Sequence, residues 1–145
     1  MICPRPFRLA LAAAVASLFA GSVGCSENTG QPSPSQVPYS QTDLAVGTGT
    51  QAFAGNRITV AYTGWLYDGA RPEGKGTQFD SNTSYSFVLG TGAVIRGWDQ
   101  GVPGMRVGGQ RRLVLPPELA YGSAGRSPIP PNATLVFDIT LNSVP

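Results

Sequence analysis

The sequence predicts an α+β fold: one short helix packed on a face of an antiparallel sheet of five or six strands. Three observations lead there. Short runs in which apolar and polar residues alternate start near Thr42 and recur to the end of the chain, the period of half-buried strands. A single stretch has helical spacing instead. Between these runs fall many of the 19 glycines and 13 prolines of the 145 residues, in clusters such as Asp68-Gly69, Gly108-Gly109 and the long segment from Gly122 to Asn132. The length suits one domain, and no internal repeat is visible.

Taken in order, Leu44 and Val46 suggest a leading strand, the faintest of the runs. Ile58, Val60 and Tyr62 share one face of the next run, and Tyr85, Phe87 and Leu89 one face of the third. Val94, Ile95, Trp98 and Val102 follow at i, i+1, i+4 and i+8, a short helical stripe that Gly101 and Pro103 should stop. Leu113 and Leu115 mark a short strand. The last run is the clearest, with Leu135, Phe137, Ile139 and Leu141 alternating against Val136, Asp138, Thr140 and Asn142.

The beginning of the chain has another character. Residues 1–24 carry Arg5 and Arg8, then a twelve-residue run from Leu9 to Ala20 that is apolar except for Ser17, then small residues, the layout of a secretory signal. That run is short of the roughly 20 residues a spanning helix needs. Ser22-Val23-Gly24-Cys25 resembles the lipobox of bacterial lipoproteins, although Ser22 stands where leucine is usual. The resemblance implies lipidation of Cys25, and Cys3 would leave with the signal. Residues 26–41, with three prolines and little to bury, read as a tether that spans about 50 Å when extended. The expected organisation is a signal over 1–24, a linker with lipidated Cys25 over 25–41, and a folded domain over 42–145.

Composition narrows the chemistry. Charged residues make up 12% of the chain, about half of the ~25% usual for soluble domains. Ten basic and eight acidic residues give +2, but Arg5 and Arg8 belong to the signal, so eight of each sign remain and the exported part is neutral. Steering toward nucleic acid has no support, and Arg111-Arg112 are expected to be solvated strand ends. There is no histidine, which excludes a Ser-His-Asp triad, a Cys-His pair and any His-bearing zinc site. The glycine runs lack the strand-loop-helix setting of a phosphate cradle.

Three segments go beyond architecture: Tyr62-Thr-Gly-Trp-Leu66, Val94-Ile-Arg-Gly-Trp-Asp-Gln-Gly-Val-Pro-Gly-Met105, and Ala120-Tyr-Gly122 followed by Ile129-Pro-Pro-Asn-Ala-Thr-Leu-Val-Phe-Asp138. In this order and spacing the chain resembles the FKBP-type peptidyl-prolyl cis-trans isomerases, from about Thr42 to Val144. The resemblance implies a twisted antiparallel sheet of five or six strands wrapped around one short helix, with an apolar pocket between them. It also implies catalysis of X-Pro rotation with no cofactor and no metal. On this pattern Trp98 is the pocket floor, and Tyr62, Phe79 and Phe137 are its aromatic walls. Val94 and Ile95 form the rim, where the Ile95 N–H would hold a substrate carbonyl. Tyr121 donates a hydrogen bond, Asp80 is the carboxylate at the edge, and Tyr85 and Ile129 add substrate-binding surface.

The expected partners are proline-containing polypeptides, with macrolides as inhibitors and a membrane reached only through the lipid. No nucleic acid is expected, and the protein is expected to be monomeric. The location implied is the bacterial envelope; Ser26 after Cys25 leans toward the outer membrane in a Gram-negative host. A second reading stays open, a proline- or macrolide-binding module or chaperone with little turnover. Four departures from the family pattern bear on selectivity, one of them a flap about one residue short before Ile129. The segment between Gly69 and Phe79 is long and is expected to reshape the pocket rim, Ala93 fills a position often polar, and Arg126 replaces a residue that is histidine in some relatives.

Overall fold

A computed structural model describes residues 37–145. The expected signal, Cys25 and the linker as far as residue 36 lie outside the described residues. Five strands form one antiparallel sheet: β1 (Ser40–Ala45), β2 (Arg57–Tyr67), β3 (Lys75–Val88), β4 (Gln110–Leu115) and β5 (Leu135–Ser143), in the spatial order β1-β4-β5-β2-β3. Among the described residues one α-helix, α1 (Arg96–Gly101), lies between β3 and β4 in the chain.

Alternation sets which residues face α1. On β5, Leu135, Phe137, Ile139 and Leu141 are buried, as are Ile58 and Val60 on β2 and Leu113 and Leu115 on β4; with Trp98 and Val102 they form the core. Burying such side chains is worth about 1.5–3 kcal/mol each. The helix lies close on β4 because it presents glycine there. A Cβ at Gly101 would meet Leu113 Cδ2 at 2.6 Å.

The helix is shorter than the apolar stripe. Val94 precedes it, and Ile95 is its N-cap in extended backbone (φ −60°, ψ 149°). Gly101 is its last residue rather than its stop, and the chain turns at Gly104, whose φ of +90° suits glycine.

Two expectations about the start of the domain change. The strand begins at Ser40, and Tyr39 packs on the core, so the fold starts inside the stretch expected to be tether. Leu44 and Val46 are exposed, and every residue of β1 is exposed. An ion pair holds β1 instead of an apolar face: Asp43 lies in register with Arg111 of β4, whose Nε donates to Asp43 Oδ1 at 2.5 Å.

The same contact corrects the reading of Arg111-Arg112. Arg111 is only 7% exposed. Besides Asp43 it donates to the carbonyls of Gly101 (2.7 Å) and Pro103 (3.2 Å), closing the C-terminal end of α1. Arg112 points to the other face, where it donates to both oxygens of Asp138 (2.7 and 2.9 Å) and pairs with Glu73 (2.9 Å). Both arginines are enclosed because β4 runs inside the sheet, between β1 and β5.

The long segment before Phe79 joins this outer network. Lys75 pairs with Asp138 at 2.7 Å and with Glu73 at 3.0 Å, and its ammonium lies 4.5 Å from the centre of the Trp65 ring. The extra residues therefore brace the face of the sheet opposite α1, and none of residues 69–78 borders the cavity described below.

Candidate functional site

The inner face of the sheet and α1 enclose a cleft of about 580 Å³. Its floor is Trp98, which α1 places over the middle of the sheet. The indole is 4% exposed and surrounded by rings: Tyr62 at 4.9 Å and 79°, Phe137 at 5.3 Å and 88°, Phe87 at 5.7 Å and 48°. Phe79 stands edge-on to Phe137 at 5.6 Å. Edge-to-face pairs of this kind add about 0.5–1.5 kcal/mol each beyond burial, so the walls are held by one another as well as by the strands. The buried Trp98 N–H has no hydrogen-bond partner among the described residues.

The strands determine what enters the cleft. Tyr62 on β2 and Phe137 on β5 fall on inward positions of neighbouring strands. Directly opposite Phe137, β2 carries Gly64, where a Cβ would lie 2.7 Å from Phe79 Cζ and 2.8 Å from Phe137 Cε1. Glycine at this position leaves room for both rings. Shifts in the β2–β3 register between Val60 and Tyr62 and between Gly64 and Trp65 bracket Asp80; bulges of this kind re-aim side chains. Asp80 Oδ2 accepts the Tyr62 hydroxyl at 2.6 Å and Oδ1 accepts the Ser81 N–H at 2.8 Å. Burial pushes the Tyr62 hydroxyl above its ordinary value, and the bond to Asp80 pushes it further. The phenol therefore stays protonated and donating at any physiological pH.

The Ile95 N–H and the Tyr121 hydroxyl are polar donors at the rim. Among the described residues the Ile95 N–H donates to no backbone carbonyl, and the tyrosine hydroxyls that donate to a side chain are those of Tyr39 and Tyr62, not that of Tyr121. The rim itself is tied down by Asp99, whose Oδ1 accepts the Gly90 N–H (2.8 Å) and whose Oδ2 accepts the Gly92 N–H (2.9 Å), fixing the loop that leads to Val94 and Ile95.

The structure brings all ten pocket residues expected from the sequence around this one cleft: Tyr62, Phe79, Asp80, Tyr85, Val94, Ile95, Trp98, Tyr121, Ile129 and Phe137. Cys25 lies outside the described residues. Ser127 and Pro128 also line the cleft without having been expected, and Ala93 and Arg126 line it too. Asp99 was legible only as part of a motif; nothing in the sequence reveals the loop amides it accepts. Asp80 is read most easily as a turn former beside Ser81-Asn82, yet it lies within β3.

An aromatic cleft with a few polar donors, carried by a sheet and a single helix, belongs to a recognisable class. Residues 49–142 match the family described as FKBP-type peptidyl-prolyl cis-trans isomerase, and the chain is a member of that family. It is 44% identical over 103 residues to the FK506-binding protein of Neisseria meningitidis serogroup A, covering 70% of this chain and 92% of that one. It is 50% identical over 102 residues to FK506-binding protein 4 of Neurospora crassa, covering 68% of this chain but 20% of the relative. With FK506-binding protein 4 of Dictyostelium discoideum the chain shares 47% identity over 113 residues and spans 29% of it. It therefore corresponds to a small part of those two relatives and to most of the bacterial one. Among solved structures, AtFKBP13 superposes with a TM-score of 0.64 at 37% identity, covering 74% of this chain and 93% of that one. FkpA from Escherichia coli gives 0.61 at 38% identity, covering 73% and 47%.

Proposed function

We propose that this protein is a peptidyl-prolyl cis-trans isomerase of exported proteins, held at the bacterial envelope through a lipid on Cys25. The observation that carries the reading is the aromatic cleft floored by buried Trp98, with the Ile95 N–H and the Tyr121 hydroxyl at its rim. X-Pro bonds prefer trans by only about 0.5–1 kcal/mol, but a barrier of about 18–20 kcal/mol makes exchange slow. Rotation makes and breaks no covalent bond, so the protein has only to bind the twisted amide better than the planar one. Twisting lowers the polarity of the amide, and a cleft that strips water from it favours that state.

In this reading the proline ring rests on Trp98 between Tyr62, Phe79 and Phe137, with Val94 at the rim and Tyr85 and Ile129 extending the surface for the flanking chain. The Ile95 N–H and the Tyr121 hydroxyl donate to substrate carbonyls, and the Asp80 carboxylate, oriented by Tyr62, stands at the edge. The substrates are unfolded or exposed X-Pro segments of envelope proteins, the enzyme acts as a monomer, and macrolides of the kind for which the relatives are named compete for the cleft.

Two experiments test the two halves. Relaxation of a Leu-Pro tetrapeptide from cis to trans should be accelerated by the full chain, and Trp98→Ala or Phe137→Ala should remove most of the acceleration while the variants are still folded. Acceleration unchanged in both would disprove the site. For the anchor, Cys25→Ser should release the protein from membranes and remove the lipid mass. A variant that stays membrane-bound at unchanged mass would disprove lipidation.

A further inference from the structure

Two charged side chains line the cleft, and they differ in one respect. Both oxygens of Asp80 are already engaged, by the Tyr62 hydroxyl and the Ser81 N–H. Arg126 is engaged only through its backbone: its N–H donates to the Ile129 carbonyl at 3.0 Å and its carbonyl accepts the Ile129 N–H at 2.5 Å. Its exposed side chain therefore leaves the loop from a fixed point beside buried Ile129, and its guanidinium lies 5.9 Å from the centre of the Tyr121 ring. Among the described residues no carboxylate pairs with it. Arg111 and Arg112, by contrast, are enclosed in ion pairs with Asp43, Asp138 and Glu73. The mouth of the cleft thus carries a positive charge that the described residues leave without a counter-ion, beside Tyr121 and at the site where the isomerase reading places the substrate.

We propose that Arg126 sets substrate selectivity, favouring X-Pro segments with an acidic side chain next to the X-Pro bond and disfavouring those with a basic one. The inference rests on the isomerase reading above. Because the guanidinium is exposed, the attraction is screened, and a preference of about two- to fivefold is its scale. It should shrink as added salt shortens the screening length.

The test uses the full chain and peptides that differ only in Glu, Gln or Lys, placed directly before the proline in one series and directly after it in the other. The predicted order of kcat/KM is Glu over Gln over Lys in at least one series, with the Glu-to-Lys ratio falling in 0.5 M salt. Arg126→Lys should keep the ratio, Arg126→Gln should bring it near one, and Arg126→Glu should invert it. Because each ratio is internal to a variant, a general loss of activity cancels. Equal acceleration of all three peptides in both series, or a ratio that survives Arg126→Glu, overturns this proposal and leaves the isomerase reading intact. No acceleration of any peptide overturns both.

Discussion

Gly64 lies where the two aromatic walls come closest, and the missing side chain is what allows them to meet. Adding a methyl 2.7 Å from Phe79 Cζ and 2.8 Å from Phe137 Cε1 must displace a ring. Gly64→Ala should therefore cost about 1–3 kcal/mol of stability and, by moving the walls, lower kcat/KM by about tenfold or more; a urea melt and a peptide assay on the same sample check both. Tyr121 gives the complementary case. Its hydroxyl has no intramolecular partner among the described residues, so Tyr121→Phe should leave the melting temperature unchanged. It should reduce kcat/KM by about three- to tenfold, the worth of one hydrogen bond at about 0.5–1.5 kcal/mol. At this scale the aromatic residues were legible because their spacing repeats a family pattern in three separate segments. The polar partners were not. Tyr62 and Asp80 are 18 positions apart, and only a bulged register puts the phenol on the carboxylate.

Strand β1 illustrates what alternation misses at the scale of an element. Leu44 within it and Val46 just after it are exposed, and the side chain that ties it to the sheet is Arg111, which also closes the end of α1 through Gly101 and Pro103. Charge on an edge strand carries no periodic apolar signal, which is why the start of the domain read as tether. Arg111→Met should weaken this junction by about 1–3 kcal/mol, below the 3–5 kcal/mol of a fully buried pair because Asp43 can be rehydrated. Amide exchange in β1 and at the C-terminal end of α1 should quicken before that of β5. Uniform acceleration across the sheet would count against a local junction. The strands with apolar inner faces, β2, β4 and β5, were legible because burial on one side imposes the period of two. The segment before Phe79 was visible as an insertion, but its side was not, since only folded strands show that Glu73 reaches Arg112 and Lys75 reaches Asp138 rather than the rim.

Across the molecule, ion pairs outside the cleft add to the stability that the core supplies. Burial alone would raise the Asp138 carboxyl, but hydrogen bonds from Arg112 and Lys75 outweigh it and hold the group below its ordinary value. Arg111 does the same for Asp43. A carboxyl depressed in the folded state contributes stability at pH above the ordinary carboxylate value of about 4 and loses it as pH falls through the lower folded value. The melting temperature should therefore be steady near neutrality and fall steeply below about pH 4, with a shallower fall in Asp138→Asn. Arg112→Ala should lower stability by about 1–3 kcal/mol while leaving kcat/KM unchanged at temperatures where the variant is folded, because the outer network does not border the cleft.

In the proposed function the cleft lowers the barrier to X-Pro rotation and does not merely hold proline. Exchange spectroscopy on a Leu-Pro peptide with a catalytic amount of the full chain measures that barrier directly, in the presence and absence of a macrolide ligand. Exchange should be far faster than the uncatalysed tens of seconds and should return to the uncatalysed rate when the macrolide is added. Exchange that stays at the uncatalysed rate while the macrolide still binds would contradict the proposed function, and would identify a binding module without turnover.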